Sequence, residues 1–371
     1  MKVISKIVFF VVSLFVLTGP AICDEPARRF LVFRGTSDAS AAVAVNEDMF
    51  AVADDENNIL RIYDISKAGE PISSFDMTSF LDTEPSQPEA DIEAATRVGQ
   101  RIYWITSHGR NKDGKLRPNR YRFFATDLLV ENNNVKLRPA GKPYKKLVDD
   151  LLKTPASHRL GLDRATRFGA ELKKKDREKL APKKEGLNIE GLCASPDGRT
   201  LYIGFRNPRP IDKKTGRPTA IVIPLLNPDR VIENGKKPIF DEPMLWDLKG
   251  LGIRGMEYSI FHKTFFLIAG GHDEDEGFAL YRWSGRPESP PELLRKLTFG
   301  RSEFSPETLI PFEESGRLLM LSDDGTLIVK VAGDWECLEG QYNKDGTCLN
   351  KYLANPEKKT FRGAWLKLQV R

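Results

Sequence analysis

Short apolar runs bounded by polar turns recur along most of the chain, and five pairs of them share a pattern. Each pair opens with a polar-flanked segment: Asp38-Ala-Ser-Ala-Ala-Val, Asp91-Ile-Glu-Ala-Ala-Thr, Asn188-Ile-Glu-Gly-Leu-Cys, Gly252-Ile-Arg-Gly-Met-Glu and Ser305-Pro-Glu-Thr-Leu-Ile. After a short turn comes an apolar strand, starting at Met49, Arg101, Thr200, Thr264 and Arg317 in turn. The turns carry hairpin chemistry, as in Val98-Gly99-Gln100 and Pro196-Asp197-Gly198. A third strand follows each pair, including Ile59-Leu-Arg-Ile-Tyr, Ala220-Ile-Val-Ile-Pro and Thr326-Leu-Ile-Val-Lys.

The third residue of each opening segment is a marker: Ser40, Glu93, Glu190, Arg254 and Glu307, spaced by 53, 97, 64 and 53 residues. A repeat near 50 residues made of successive antiparallel strands predicts an all-β chain folded as a β-propeller. Five marked repeats predict five blades, with six or seven open if some blades are degenerate. A β-sandwich with chance similarity is the competing architecture. A propeller must close its ring, and Arg29-Phe-Leu-Val-Phe can share a blade with the last strand, Ala364-Trp-Leu-Lys-Leu-Gln-Val.

The 97-residue interval holds an insertion. Tyr144, Leu147, Val148, Leu151 and Leu152 fall at helical spacing, and a second helical stretch is expected from about Arg159 to Leu180. Residues 142–184 carry 14 Lys and Arg against 6 Asp and Glu, a net of +8 in a chain whose total is +5. The mild basicity is therefore local. It does not imply nucleic acid, and it marks the insert as a rim cover, a docking surface or a plain solvated helix pair.

The first 23 residues read as a secretory signal: Lys2 and Lys6, an apolar stretch from Ile7 to Leu17, then Ala21-Ile22-Cys23 before the expected cleavage. The apolar stretch is short of the roughly 20 residues of a membrane span, and no later segment is long and apolar enough, so no transmembrane segment is expected. A lipid anchor on Cys23 is the weaker alternative. A periplasmic or secreted single domain from Asp24 to Arg371 follows, in a compartment that permits disulfides. Cys337 and Cys348 bracket an Asp345-Gly346 turn and are expected to bridge; Cys193 reads as a buried thiol.

If the opening segments begin the innermost strands, their markers ring one end of the central channel. Antiparallel geometry brings the polar ends of the second strands beside them: Asp54-Asp55, Ser107-His108, Arg206-Asn207, His272-Asp273 and Asp323-Asp324. Crowded carboxylates need a cation, a shared proton or basic partners. Glu93, Glu190, Glu307, His108 and His272 are the candidates for acid–base chemistry. Asp54, Asp55, Asp273, Asp323 and Asp324 are candidate ligands for Ca²⁺ or Mg²⁺, which prefer oxygen. The loop from Ser107 to Arg120 joins a histidine to five Lys or Arg residues. Arg110, Arg120, Arg206 and Arg254, with Ser40, are candidates for holding an anion. The structural counterpart is that these arginines only neutralise the acidic ring and that the Asp residues cap turns.

Ser37-Asp38-Ala39-Ser40, Ala53-Asp54-Asp55-Glu56, Ser107-His108-Gly109-Arg110-Asn111, Glu185-Gly186-Leu187-Asn188-Ile189-Glu190-Gly191-Leu192 and Leu321-Ser322-Asp323-Asp324-Gly325 together resemble the bacterial family called domain of unknown function 3616. That resemblance implies a secreted, propeller-like protein and transfers no catalytic role. A fold-level analogy links the Glu-Gly-Leu-type repeats to phytase-like and esterase-like secreted propellers. Two functions remain open: a metal-assisted hydrolase of a phosphoester or other anionic substrate, and a non-catalytic module binding an anionic small molecule or an envelope polymer. A scaffold with a purely structural acidic ring is the third reading.

Overall fold

The computed structural model describes residues 30–131, 134–271, 277–299 and 304–368. The signal segment, with Cys23, lies outside the described residues, as do His272 and Asp273. The chain is a five-bladed β-propeller, and each blade is a four-stranded antiparallel sheet. Blade 1 comprises β2 (Ala41–Ala44), β3 (Met49–Ala53), β4 (Ile59–Asp64) and β5 (Ser73–Asp76). Blade 2 comprises β6 (Ile92–Val98), β7 (Arg101–Thr106), β8 (Phe123–Glu131) and β9 (Asn134–Tyr144). Blade 3 comprises β10 (Asn188–Ala194), β11 (Leu201–Asn207), β12 (Ala220–Leu225) and β13 (Met244–Trp246). Blade 4 comprises β14 (Gly252–Ser259), β15 (Thr264–Gly270), β16 (Phe278–Trp283) and β17 (Glu292–Leu297).

Blade 5 closes the ring. Its inner strands are β18 (Pro306–Pro311) and β19 (Leu318–Ser322), followed by β22 (Thr360–Leu366) and, outermost, β1 (Leu31–Arg34) from the start of the fold. Residues from the two ends of the chain thus complete one sheet, with Leu31 opposite Gly363 and Arg34 opposite Thr360. The seam is packed by Phe33, Phe50, Tyr63 and Phe361, all fully buried. Their rings meet edge-on or stacked at 5.1–5.6 Å, spacings at which aromatic pairs attract.

Two expectations change. Thr326-Leu-Ile-Val-Lys does not continue blade 5. Ile328–Lys330 forms β20, which pairs only with β21 (Thr347–Leu349) in a separate hairpin, because β22 takes the place beside β19. The insert also lacks the long second helix. It breaks into short helices at Leu147–Leu151, Pro155–Leu160, Leu162–Thr166 and Lys174–Glu178. Gly161, at φ +77°, separates two of them, a left-handed conformation that glycine adopts without steric cost. Leu147, Val148 and Leu151 are buried in the core shared by blades 2 and 3, so the apolar spacing was used as expected. Among the described residues no helix is long and apolar enough to cross a membrane.

Candidate functional site

The first strands β2, β6, β10, β14 and β18 stand next to one another around the axis. In four of them the marker residue sits at a β-bulge. The register skips Glu93 between Ile92 and Ala94, Glu190 between Ile189 and Gly191, Arg254 between Ile253 and Gly255, and Glu307 between Pro306 and Thr308. A bulge leaves one residue unpaired and re-aims its side chain. Repeated at one level of four blades, it points three carboxylates and one guanidinium at a common centre. Glu93, Glu190 and Glu307 each offer an oxygen within 4.8 Å of the other two. Backbones also crowd here: a Cβ on Gly255 would lie 2.5 Å from the Glu307 carbonyl oxygen, so only glycine fits.

The second-strand ends lie opposite these starts, as antiparallel pairing requires. Ala53 faces Ala41, Thr106 faces Ile92, Asn207 faces Asn188 and Ser322 faces Pro306. The polar residues that follow converge on the same mouth. Arg254 donates to Glu307 and reaches Glu190 at 3.3 Å, while Arg206 donates to Glu190 at 2.7 Å. Asn188 adds a bond to Glu190 at 2.5 Å. Arg120 pairs with Asp91 at 2.8 Å and with Glu89. Lys351 pairs with Glu56 at 2.8 Å. Carboxyl groups outnumber these cations.

Asp55 and Glu93 receive no ion pair or hydrogen bond from any described residue, although Glu93 is only 9% exposed and Asp55 Oδ1 is enclosed. Both stand with Asp91 in a second trio whose oxygens lie within 4.8 Å, and Asp55 also joins Asp38 and Glu56 in a third. Burial, then the charges of Asp91 and Glu190, pushes the Glu93 carboxyl well up. Burial and the neighbours Glu56 and Asp91 do the same to Asp55. Glu307 rises to about 8, chiefly by burial and against the pull of Arg254. Asp38 rises by burial and by the adjacent Asp323. Asp323 is held low despite its burial, because the Asp38 carboxyl hydrogen-bonds to it and Arg254 lies near.

Other candidates are engaged by, or buried among, neighbouring parts of the fold. Asp54 accepts from Thr36, from Asn57 Nδ2 at 2.7 Å and from the Glu56 and Asn57 amides, so it caps its turn. Burial still lifts it to about 6. Asp324 is clamped by both arms of Arg362 at 2.7 and 2.8 Å and by Ser322. Arg110 does not reach the acidic ring. Its guanidinium donates to the carbonyls of Thr166, Arg167 and Gly114, tying the loop to the insert. Ser40 is buried just ahead of β2. His108 is wholly buried, at φ +51°. Its Nδ1–H donates to the Thr106 carbonyl at 2.8 Å, which leaves Nε2 as a bare acceptor beside Tyr121. Burial lowers it to about 4, so it is a neutral core imidazole at physiological pH and no described contact joins it to the carboxylates.

Cys337 and Cys348 are the pair expected to bridge. Both residues are free, buried thiols held side by side, and the Cys348 thiol is pushed up to about 12 by burial and by a hydrogen bond with Cys337. The Asp345-Gly346 turn lies between them.

Asp38, Glu56, Glu89, Asp91 and Lys351 were missed as site residues. Asp38 and Asp91 stand two positions before the markers Ser40 and Glu93, as Asn188 does before Glu190. A polar residue at both the first and third motif positions was the available signal.

No family model and no curated protein sequence matches the chain. Solved structures that it is similar to include a putative oxidoreductase (glucose dehydrogenase) of Thermus thermophilus, at 13% identity over 91% of this chain and 100% of that one, with a TM-score of 0.39. Glutaminyl cyclase of Myxococcus xanthus is 10% identical over 79% and 88% of the two chains, with a TM-score of 0.40. The Cps50 (Swd1) β-propeller domain of Myceliophthora thermophila is 12% identical over 80% and 96%, with a TM-score of 0.32.

Proposed function

We propose that this chain is an exported ligand-binding propeller whose channel mouth takes a hard divalent cation, Ca²⁺ or Mg²⁺, and with it an anionic ligand. One observation carries the reading: Asp55, Asp91 and Glu93 converge within 4.8 Å, while Asp55 and Glu93 have no cationic or donor partner among the described residues. Like charges packed so closely need a proton or a metal, and an all-oxygen donor set suits Ca²⁺ or Mg²⁺. Asp55, Asp91 and Glu93 would hold the ion, with Glu56 and Asp38 within reach. The ion would supply positive charge at the mouth, where a phosphoester or similar anion can dock.

The test is thermal unfolding after chelation, with Ca²⁺ or Mg²⁺ titrated back. A ligand at about 100 times its Kd stabilises by about 2.7 kcal/mol. At roughly 2.1 cal/mol/K per residue, a chain of this length gains about 1.3 °C for each kcal/mol, so the expected rise is about 4 °C. Asp55→Asn should abolish it. No saturable rise, or an equal rise in the variant, refutes the reading.

Release of nitrophenol from p-nitrophenyl phosphate in the same metal series separates two finer functions. Metal-dependent release that Glu93→Gln removes makes the chain a metal-assisted hydrolase. Stabilisation without release makes it a binding module for an anionic small molecule or an envelope polymer.

A further inference from the structure

Beside the acidic mouth lies a second feature of opposite charge. A cleft of about 760 Å³ opens between the insert, the β11–β12 connection and the loop entering β14. It is the size of an ordinary small-molecule site. Arg164 and Lys184 come from the insert, Arg209 from the β11–β12 connection and Lys249 from the turn before β14. Glu185 is the one carboxylate among the described residues lining it. The floor and walls between these charges are apolar, built by Pro208, Ile211, Pro218 and Leu251.

Two details argue that the charges serve a ligand rather than the fold. Arg164 and Lys184 form no ion pair with any described carboxylate, whereas Lys249 meets Asp247 at 3.4 Å and Arg209 donates to the Gly250 carbonyl. In addition, Ile211 is 59% exposed at the cleft wall, a large apolar side chain left facing water. The wall itself is firm. Ile211 bridges to Pro218, the Thr219 amide and hydroxyl both bind the Pro210 carbonyl, and Asp212 accepts the amides of Lys214 and Thr215. On the other side, Asn207 Nδ2 donates to the Pro182 carbonyl at 2.6 Å, which pins the end of the insert against blade 3. The cleft is thus preformed and needs no ordering step to accept a ligand.

We infer that this cleft is a binding site for an organic anion with an apolar body, its phosphate or carboxylate held by Arg164 and Lys184 and its body laid against Ile211 and the prolines. Arg suits a phosphate or carboxylate through its planar fork, and Lys adds a point charge. The site is independent of the cation at the channel mouth, since none of Asp55, Asp91 and Glu93 lines it.

Calorimetric titration in EDTA tests it, because chelation silences any metal at the mouth. Phenyl phosphate is the probe, with inorganic phosphate and phenol as its two halves. The expected result is saturable binding of phenyl phosphate, at least about tenfold tighter than either half, that weakens as salt rises. Arg164→Gln with Lys184→Gln should weaken it at least about tenfold, and Ile211→Glu should do the same by placing a carboxylate on the wall. All three positions lie at the surface of the cleft, and unchanged melting temperatures of the free variants show that the fold is retained. Absence of binding in EDTA overturns the inference. So does binding that survives both variants, or inorganic phosphate binding as tightly as phenyl phosphate. Asp55→Asn keeps full phenyl phosphate binding if the cleft is right, even where the cation reading fails.

Discussion

Arg254 is the one guanidinium among the four bulge residues, and replacing it with Gln isolates what it does. It bridges Glu190 and Glu307, and all three are buried, at 7%, 2% and 4% exposure. Arg254→Gln leaves two carboxylates facing each other in the channel with Arg206 as their remaining described cation. Breaking a buried ion pair by removing one partner costs about 3–5 kcal/mol. With each kcal/mol worth about 1.3 °C at this chain length, the loss at pH 9, where Glu307 is ionised, is about 4–7 °C in Tm. The pH dependence sharpens the test. Glu307 titrates near 8 in the fold, above the usual carboxyl range. A carboxyl raised on folding makes the folded state bind more protons, so its stabilising contribution is complete below about 4.5 and lost as pH climbs through about 8. At pH 5 Glu307 is already protonated, so on that side Arg254 gives up only a hydrogen bond to a neutral acid, worth about 1 kcal/mol, in addition to its contact with Glu190. At pH 9 it gives up an ionised partner. Calorimetric melting of wild type and variant in metal-free buffer at pH 5, 7 and 9 should therefore show the gap widening with pH. An equal gap at pH 5 and 9, or none at pH 9, would refute the view that Arg254 neutralises these carboxylates.

Two further outcomes are expected. At the opposite end of the channel, burial lifts Glu257 to about 8 despite bonds from Thr96 at 3.2 Å and the Tyr258 amide at 3.1 Å; because stability is lost as pH rises through that value, Glu257→Gln should be more stable than wild type at pH 9, by roughly 1–3 kcal/mol in denaturant unfolding, and show no such gain at pH 5. Mild oxidation should join Cys337 and Cys348, lowering the thiol count of the denatured protein by two and stabilising the fold by about 3 kcal/mol; a thiol count unchanged by oxidation, or the same fall of two in Cys337→Ser, would rule the pairing out.

The propeller, its five blades and their closure by the first and last strands could be read from the chain, because strand pattern and turn chemistry are local and repeat at a fixed interval. The same locality identified Glu93, Glu190, Arg254 and Glu307 as equivalent positions. It also placed the second-strand ends beside them, since antiparallel pairing leaves no other arrangement. What each charge meets was decided only in three dimensions. Arg110 and Arg120 share one loop, yet one is spent on carbonyls of the insert and the other on Asp91. Asp54 and Asp55 are neighbours, yet one is saturated by its turn and the other is left without a described donor. His108 follows a strand end as Asp55 does, but its side chain turns into the core. Lys351 reaches the mouth from the blade 5 excursion, 295 residues from Glu56. The residue types and their blade positions belong to the sequence. Their partners depend on bulges, insertions and chain closure, which bring distant segments together and which no local pattern encodes.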